Sequence, residues 1–189
     1  MSPPCLLLLL PSLLLLSAGE SAPAFTVELT GTAARMMNKA RKAHQSSEFL
    51  NAHNTARGVH GMPPLRWDVG LTRFASQWAR KRKVDCKMVH SGGPYGENMF
   101  WSRAMAWSPS KIVAQWVGER SNYNPTSNSC SPGSMCGHYT QVVWRTTTSV
   151  GCASIKCYNE TGYLAVCEYN PPGNYEGERP FDATVVTDT

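Results

Sequence analysis

Two histidines and two glutamates stand where a fold could present them for chemistry. His138 lies in CGHYTQVVWR, residues 136–145. Gly137 lets the backbone turn, and Val142, Val143 and Trp144 favour a pleated, buried strand. His138 is therefore expected at that strand's mouth. His90 and Glu97 share VHSGGPYGEN, residues 89–98, where Gly92, Gly93, Pro94 and Gly96 exclude regular structure. A loop of that kind is a common seat of function. Glu119 falls three residues past Trp116 and seven past Ile112 on an apolar helical stripe. That spacing puts its carboxylate at the edge of a buried face. An unpaired charge there is costly, so it requires a cation, a histidine or a metal as partner. Imidazoles and carboxylates together can hold zinc with a water in an open position, or carry out general acid–base work. No serine or cysteine shows the signature of a hydrolytic nucleophile.

The elements that must position these groups can be read in order. A helix is expected from a cap at Ser46 or Ser47 to about Val59, stopped by Gly58 and Gly61. Phe49, Leu50, His53 and Ala56 share one face of it, and His53 reads as a satisfied core histidine. Pro63 and Pro64 force an extended link over Met62–Trp67. Asp68 caps a second helix to about Val84, with Leu71, Phe74, Ala75 and Trp78 as its buried stripe. Gly96–Trp101 is expected as a short strand. Ser108-Pro109 starts a third helix to about Asn122, with Ile112, Val113, Trp116 and Val117 inward. Tyr123–Met135 reads as a loop. Val150–Cys157 and Tyr163–Asn170 read as two strands flanking a hairpin turn. In that turn Asn159-Glu160-Thr161 is the usable glycosylation sequon, because a proline blocks Asn124-Pro125-Thr126.

The 189 residues suit one domain, and 42% apolar content is enough for a core. Leu6–Leu10 and Leu13–Leu16 form an apolar run too short to span a bilayer. With the small residues that follow, it reads as a secretory leader, residues 1–24, cleaved after Gly19 or Ala24. Residues 25–45 read as a basic extension without a clear period. No later stretch is expected to cross a membrane. Of seven cysteines, Cys5 leaves with the leader. The others are Cys86, Cys130, Cys136, Cys152, Cys157 and Cys167. An even number in a secreted chain implies disulfides, with on the order of 15 possible pairings. No CxxC spacing favours a zinc site of cysteines instead. The net charge is +5, and its densest cluster is ARKRK, residues 79–83. That cluster suits a solvated helix end or an anionic cell-wall or membrane surface. No nucleic-acid motif accompanies it.

Several segments together resemble a known family: AHNTAR (52–57), HSGGPYGEN (90–98), ERSNYN (119–124), CGHYTQVVWR (136–145), GCA (151–153) and CEYNPPGNYEGERPF (167–181). They resemble the plant pathogenesis-related 1 proteins of the CAP superfamily over about residues 46–181, leaving 182–189 as a tail. The resemblance implies an α/β fold: a three-layer α-β-α sandwich with a central antiparallel sheet, stapled by three disulfides. The implied pairs are Cys86–Cys157, Cys130–Cys136 and Cys152–Cys167. The first closes the longest loop and should contribute about 4 kcal/mol, against about 2 for the shortest. The resemblance also implies a cavity tetrad of His90, Glu97, Glu119 and His138, which would hold a weakly bound divalent metal such as zinc. The protein is expected to be extracellular, in the apoplast, to bind a sterol or other lipid, and not to be an enzyme. Candidate lipid surfaces are the 122–135 loop and the apolar helix faces. A zinc-dependent hydrolase using the tetrad is the alternative. A further implication is release of a C-terminal signalling peptide by cleavage between Asn170 and Pro171. Glu168 stands where the family's CNY motif has asparagine. Residues 171–181 are expected to lie on the surface, open to proteases.

Overall fold

A computed structural model describes residues 31–158 and 162–182. The expectations for the leader, for Asn159 and for the tail after Asp182 lie outside the described residues. The chain order is α1 (Gly31–Gly58), β1 (Arg66–Trp67), α2 (Val69–Arg82), β2 (Gly96–Ser102) and α3 (Pro109–Gly118). A 3-10 turn (Glu119–Asn122) follows, then β3 (Tyr123–Asn124), β4 (Ser129–Cys130), α4 (Gly137–Val142), β5 (Ser149–Lys156) and β6 (Tyr163–Asn170).

The main sheet has the order β1-β5-β6-β2. Its long pairings, β2 with β6 and β5 with β6, are antiparallel, whereas the two-residue β1 runs parallel to β5. Side chains alternate across β6. Ala165, Cys167 and Tyr169 enter a core with Phe49 of α1, Ile112, Val113 and Trp116 of α3, and Tyr139 and Val142 of α4. Leu164 and Val166 enter a second core with Ala75 and Ala79 of α2. The result is a three-layer α-β-α sandwich. At Gly151 a Cβ would lie 2.3 Å from Thr72 N, so a glycine is needed for α2 to seat on β5. The caps on α2 and α3 are those read from sequence: Asp68 accepts from Leu71 N, and Ser108 accepts from Lys111 N.

Three elements differ from the sequence expectation. α1 begins at Gly31, not at Ser46 or Ser47, so residues 31–45 of the basic extension are helical. These residues are rich in Ala, Arg, Met and Lys and lack proline, so intrinsic propensity carries the helix. No period shows because most of them are exposed. The segment expected as a strand around Val142–Trp144 instead closes the short helix α4. Val142 and Val143 are fully buried there, and burial of a short apolar run does not distinguish strand from helix. Within 123–135 the chain forms a small antiparallel ladder of β3 and β4.

The disulfides are Cys86–Cys157, Cys130–Cys136 and Cys152–Cys167, as the resemblance implies. The first ties the end of α2 to the end of β5. The second holds β4 to the start of α4, and the third crosses β5 and β6.

Candidate functional site

His138 occupies the first turn of α4. Its Nδ1–H donates to Glu119 Oε1 at 2.6 Å, and its backbone N–H donates to Glu119 Oε2 at 3.0 Å. Tyr139 N also reaches Glu119 Oε2, at 3.4 Å. Glu119 therefore serves as the missing cap of a helix whose Cys136 offers no side-chain cap. The ring of His138 stacks on Trp116 of α3, with centroids 6.2 Å apart. The sequence expectation that Glu119 needs a partner is met by a histidine.

His90 and Glu97 form a second pair. His90 Nδ1–H donates to Glu97 Oε1 at 2.5 Å, and Ser91 N donates to both Glu97 oxygens, at 3.1 and 3.3 Å. The His90 side chain is 64% exposed, whereas that of Glu97 is 5% exposed. Thus Glu97 pins the glycine-rich loop to β2. His90, Glu97 and His138 line one cavity of about 400 Å³, with Asn98, Gln141 and Gly173 in its wall. Gln141 closes that wall by accepting from Gly173 N at 3.0 Å.

The four sequence-predicted residues thus become two His–Glu pairs rather than one cluster. Among the described residues no three His, Cys, Asp or Glu are grouped to hold a metal ion. The physical reason is that both carboxylates already accept from imidazole and from backbone N–H. Each histidine keeps Nε2 without a partner among the described residues. Such a set offers two imidazole nitrogens, short of the three protein ligands of a catalytic zinc.

A polar chain beneath the cavity was not foreseen. Asn98 donates through Nδ2 to the His138 carbonyl (3.0 Å) and to the Tyr169 hydroxyl (3.2 Å). The hydroxyl of Tyr169 lies 2.8 Å from His53 Nε2, and His53 Nδ1 lies 2.8 Å from the Phe49 carbonyl. A carbonyl can only accept, so Nδ1 carries the proton and Nε2 accepts from Tyr169. Burial pushes the His53 imidazole down to about 4, and burial raises the Tyr169 hydroxyl well above its usual range. His53 is the satisfied core histidine expected. Arg57, one turn on, is also fully buried and is lowered by burial to about 10. It donates to the carbonyls of Pro63, Val142, Trp144 and Thr147.

Glu168 is the exception to this satisfied interior. It is fully buried on β6, and neither carboxyl oxygen has a hydrogen-bond partner among the described residues. The strand register places it opposite Glu97. Burial first, and the neighbouring Glu97 charge second, push its carboxyl far above the usual carboxylate range. A charged residue inside the apolar run of β6 was a legible signal, because such residues are almost never buried without a partner.

The sheet carries a second cavity at its other end, of about 360 Å³. Phe100, Trp107, Ile112, Leu164 and Ala165 supply apolar wall, while Arg41 and Lys156 stand among the lining residues. The sequence directed attention to the 122–135 loop and to the apolar helix faces, of which Ile112 lines this cavity. The cavity is assembled from α1, α3 and three strands, which no local pattern reveals.

The segment Pro171–Phe181 lies largely on the surface, as expected, but it is fastened. Asn170, the last residue of β6, accepts from Thr148 N at 3.1 Å across a cis bond to Pro171. Pro171 accepts from Thr147 Oγ1 at 2.9 Å. Pro180 accepts from Arg145 N at 2.8 Å, and buried Phe181 stacks on His60 with centroids 5.2 Å apart. These attachments hold both ends of the segment, while residues 174–179 between them are exposed.

The profile of the cysteine-rich secretory protein family, CAP, matches residues 50–169. The chain is 51% identical over 135 residues to pathogenesis-related protein PR-1 of Medicago truncatula, covering 71% of this chain and 78% of that one. It is 45% identical over 141 residues to pathogenesis-related protein 1A of Nicotiana tabacum, covering 75% and 83%. Among solved structures, venom allergen-like protein 4 of Schistosoma mansoni superposes with a TM-score of 0.57 at 28% identity, over 73% of this chain and 94% of that one. Na-ASP-1 gives 0.63 at 24% identity, over 73% of this chain and 41% of that one. Cysteines bonded in three pairs, two His–Glu pairs facing one cleft and these relatives agree: the chain belongs to the CAP family, in its pathogenesis-related protein 1 group.

Proposed function

We propose that this is a secreted defence protein of the apoplast that holds a sterol or other lipid in the second cavity, and that it acts by binding rather than by catalysis. Its kinship with proteins named pathogenesis-related supports the defence role. The leader read from the sequence and the cysteines bonded in pairs support secretion. The observation that carries the lipid assignment is the 360 Å³ cavity walled by Phe100, Trp107, Ile112, Leu164 and Ala165. Large apolar side chains gathered on one concave wall suit a lipid's hydrocarbon, whereas Tyr95 and Met135 are the large apolar side chains lining the His–Glu cleft. Among the described residues neither hydroxyl lining that cleft, Ser91 or Tyr95, is bonded to a histidine base, and its carboxylates are committed to their histidines. A divalent ion such as zinc is at most a two-imidazole guest there, and no reaction is assigned to it.

The test is uptake of a labelled sterol from detergent solution. Ser154 is exposed and lines the cavity, so Ser154→Trp should fill it from the open side and lower affinity about tenfold or more. Glu97→Ala, at the other end of the sheet, should bind sterol like the wild type. Loss of uptake in Glu97→Ala with the fold retained, and none in Ser154→Trp, would move the lipid to the polar cleft.

A further inference from the structure

One end of the sheet gathers exposed apolar side chains and cations that neither cavity requires. β2 and β5 end there and β6 begins, since Ser102 pairs with Tyr163 and Tyr163 with Lys156. The C-terminal end of α2 arrives at the same place. Tyr158 N donates to the Lys83 carbonyl at 2.9 Å, and Cys86 is bonded to Cys157. Around this end Val84 and Met105 are 64% exposed, Tyr158 is 52% exposed and Trp101 is 40% exposed. Large apolar groups collected on one surface mark a contact site. Cations alternate with them. The Lys83 ammonium lies 4.4 Å above the Tyr158 ring, and Arg103 sits in the turn that Ser102 and Met105 close by a 2.8 Å hydrogen bond. Asp85, at the end of α2, is already bridged to Arg82. Lys156 belongs both to this end and to the lining of the second cavity.

We propose that this end of the sheet docks on membranes that carry anionic phospholipid. Docking sets the second cavity beside the headgroups, so that lipid can pass between bilayer and protein. The passage rests on the lipid reading of the cavity; the docking does not. Basic side chains near an anionic bilayer each add attraction. Trp and Tyr suit the interfacial layer, with one side apolar and the other wet. Val84 and Met105 distinguish a bilayer from a hydrated acidic polymer, since only the bilayer removes them from water. Proximity of the ARKRK segment, residues 79–83, extends the positive field along α2.

The test is co-sedimentation of the full chain with vesicles of phosphatidylcholine, with and without phosphatidylserine. Binding should require phosphatidylserine and weaken as salt is raised. Two double variants separate the contributions. Lys83→Glu with Arg103→Glu, and Val84→Asp with Met105→Asp, should each lower vesicle affinity by about tenfold or more. Arg103, Val84 and Met105 are exposed and Lys83 is half-buried, all outside the core, and unchanged near-ultraviolet circular dichroism checks that the fold is kept. Absence of binding to phosphatidylserine vesicles by the wild type would overturn docking. So would wild-type affinity in the Val84→Asp, Met105→Asp variant, which would make the surface a polyanion patch. Sterol uptake from detergent, without vesicles, reads the cavity alone. Failure there with vesicle binding intact removes the cavity reading and leaves the docking.

Discussion

Glu168 is the residue that departs most from a satisfied interior. A buried carboxyl forfeits its solvation, and burial first, with the neighbouring Glu97 second, raises Glu168 to about 9, so it keeps its proton at neutral pH. The unfolded chain ionises Glu168 in the ordinary carboxylate range, whereas the folded chain retains the proton to a much higher pH. Folded protein therefore binds more protons over that window, and stability falls as pH rises through it. His53 has the opposite sign. Its folded value is about 4, below the 6.5 of an ordinary imidazole, so stability is lost as pH falls from 6.5 toward 4. Glu168→Gln removes the proton linkage at similar volume and lets an amide donate toward Glu97. Thermal unfolding should show the variant more stable than wild type by about 1–3 kcal/mol at neutral pH. The gain should be larger at pH 8 than at pH 5 by the sign just given. A uniform gain at both values would mean that packing, not ionisation, sets the cost.

The short helix α4 depends on groups far from it in sequence. Its N-terminus is capped by Glu119. At its C-terminal end the Val142 and Trp144 carbonyls, left without helical partners, accept from Arg57 Nη1 at 3.0 and 2.8 Å. Arg57 also reaches Pro63 and Thr147, so one guanidinium joins α1, the proline link and the turn after α4. An ammonium cannot reproduce that fork. Arg57→Lys should therefore lower stability by on the order of 3 kcal/mol, and urea unfolding measures it. His138, carried on α4, should then lose its fixed place beside Trp116. These long-range supports explain what sequence could and could not disclose. Asp68, Ser108 and the edge position of Glu119 were legible because capping and amphipathic spacing are local. That Val142 ends a helix and Val143–Trp144 turn away instead of extending as a strand was not, because tertiary partners rather than propensity decide it. Helix over residues 31–45 was obscured for the converse reason: its propensity is local, but an exposed helix shows no apolar period. The tetrad residues were found, yet their division into pairs depends on backbone N–H groups whose positions no residue type encodes.

At the scale of the whole molecule, the C-terminal segment behaves as a strap rather than a tail. It leaves β6 at Asn170, passes the wall of the His–Glu cleft at Gly173, and returns to pack Phe181 against His60 and Tyr123. Asn128 and Arg179 add side-chain bonds to backbone carbonyls between the strap and the β3–β4 region. Proteases bind their substrates as extended chain, which a strap fixed at both ends cannot supply without local opening. Release of a peptide starting at Pro171 would therefore require the strap to open first. Phe181→Ala removes its buried anchor and should loosen the segment without touching the Asn170–Pro171 bond. Incubation in apoplastic fluid, followed by mass spectrometry, should leave the folded wild type uncut at that bond. The Phe181→Ala variant should yield Pro171-initiated fragments several times faster, because opening and cleavage track the same equilibrium. Equal rates for the two proteins would show that a protease opens the strap itself, or that the bond is reached in the closed fold.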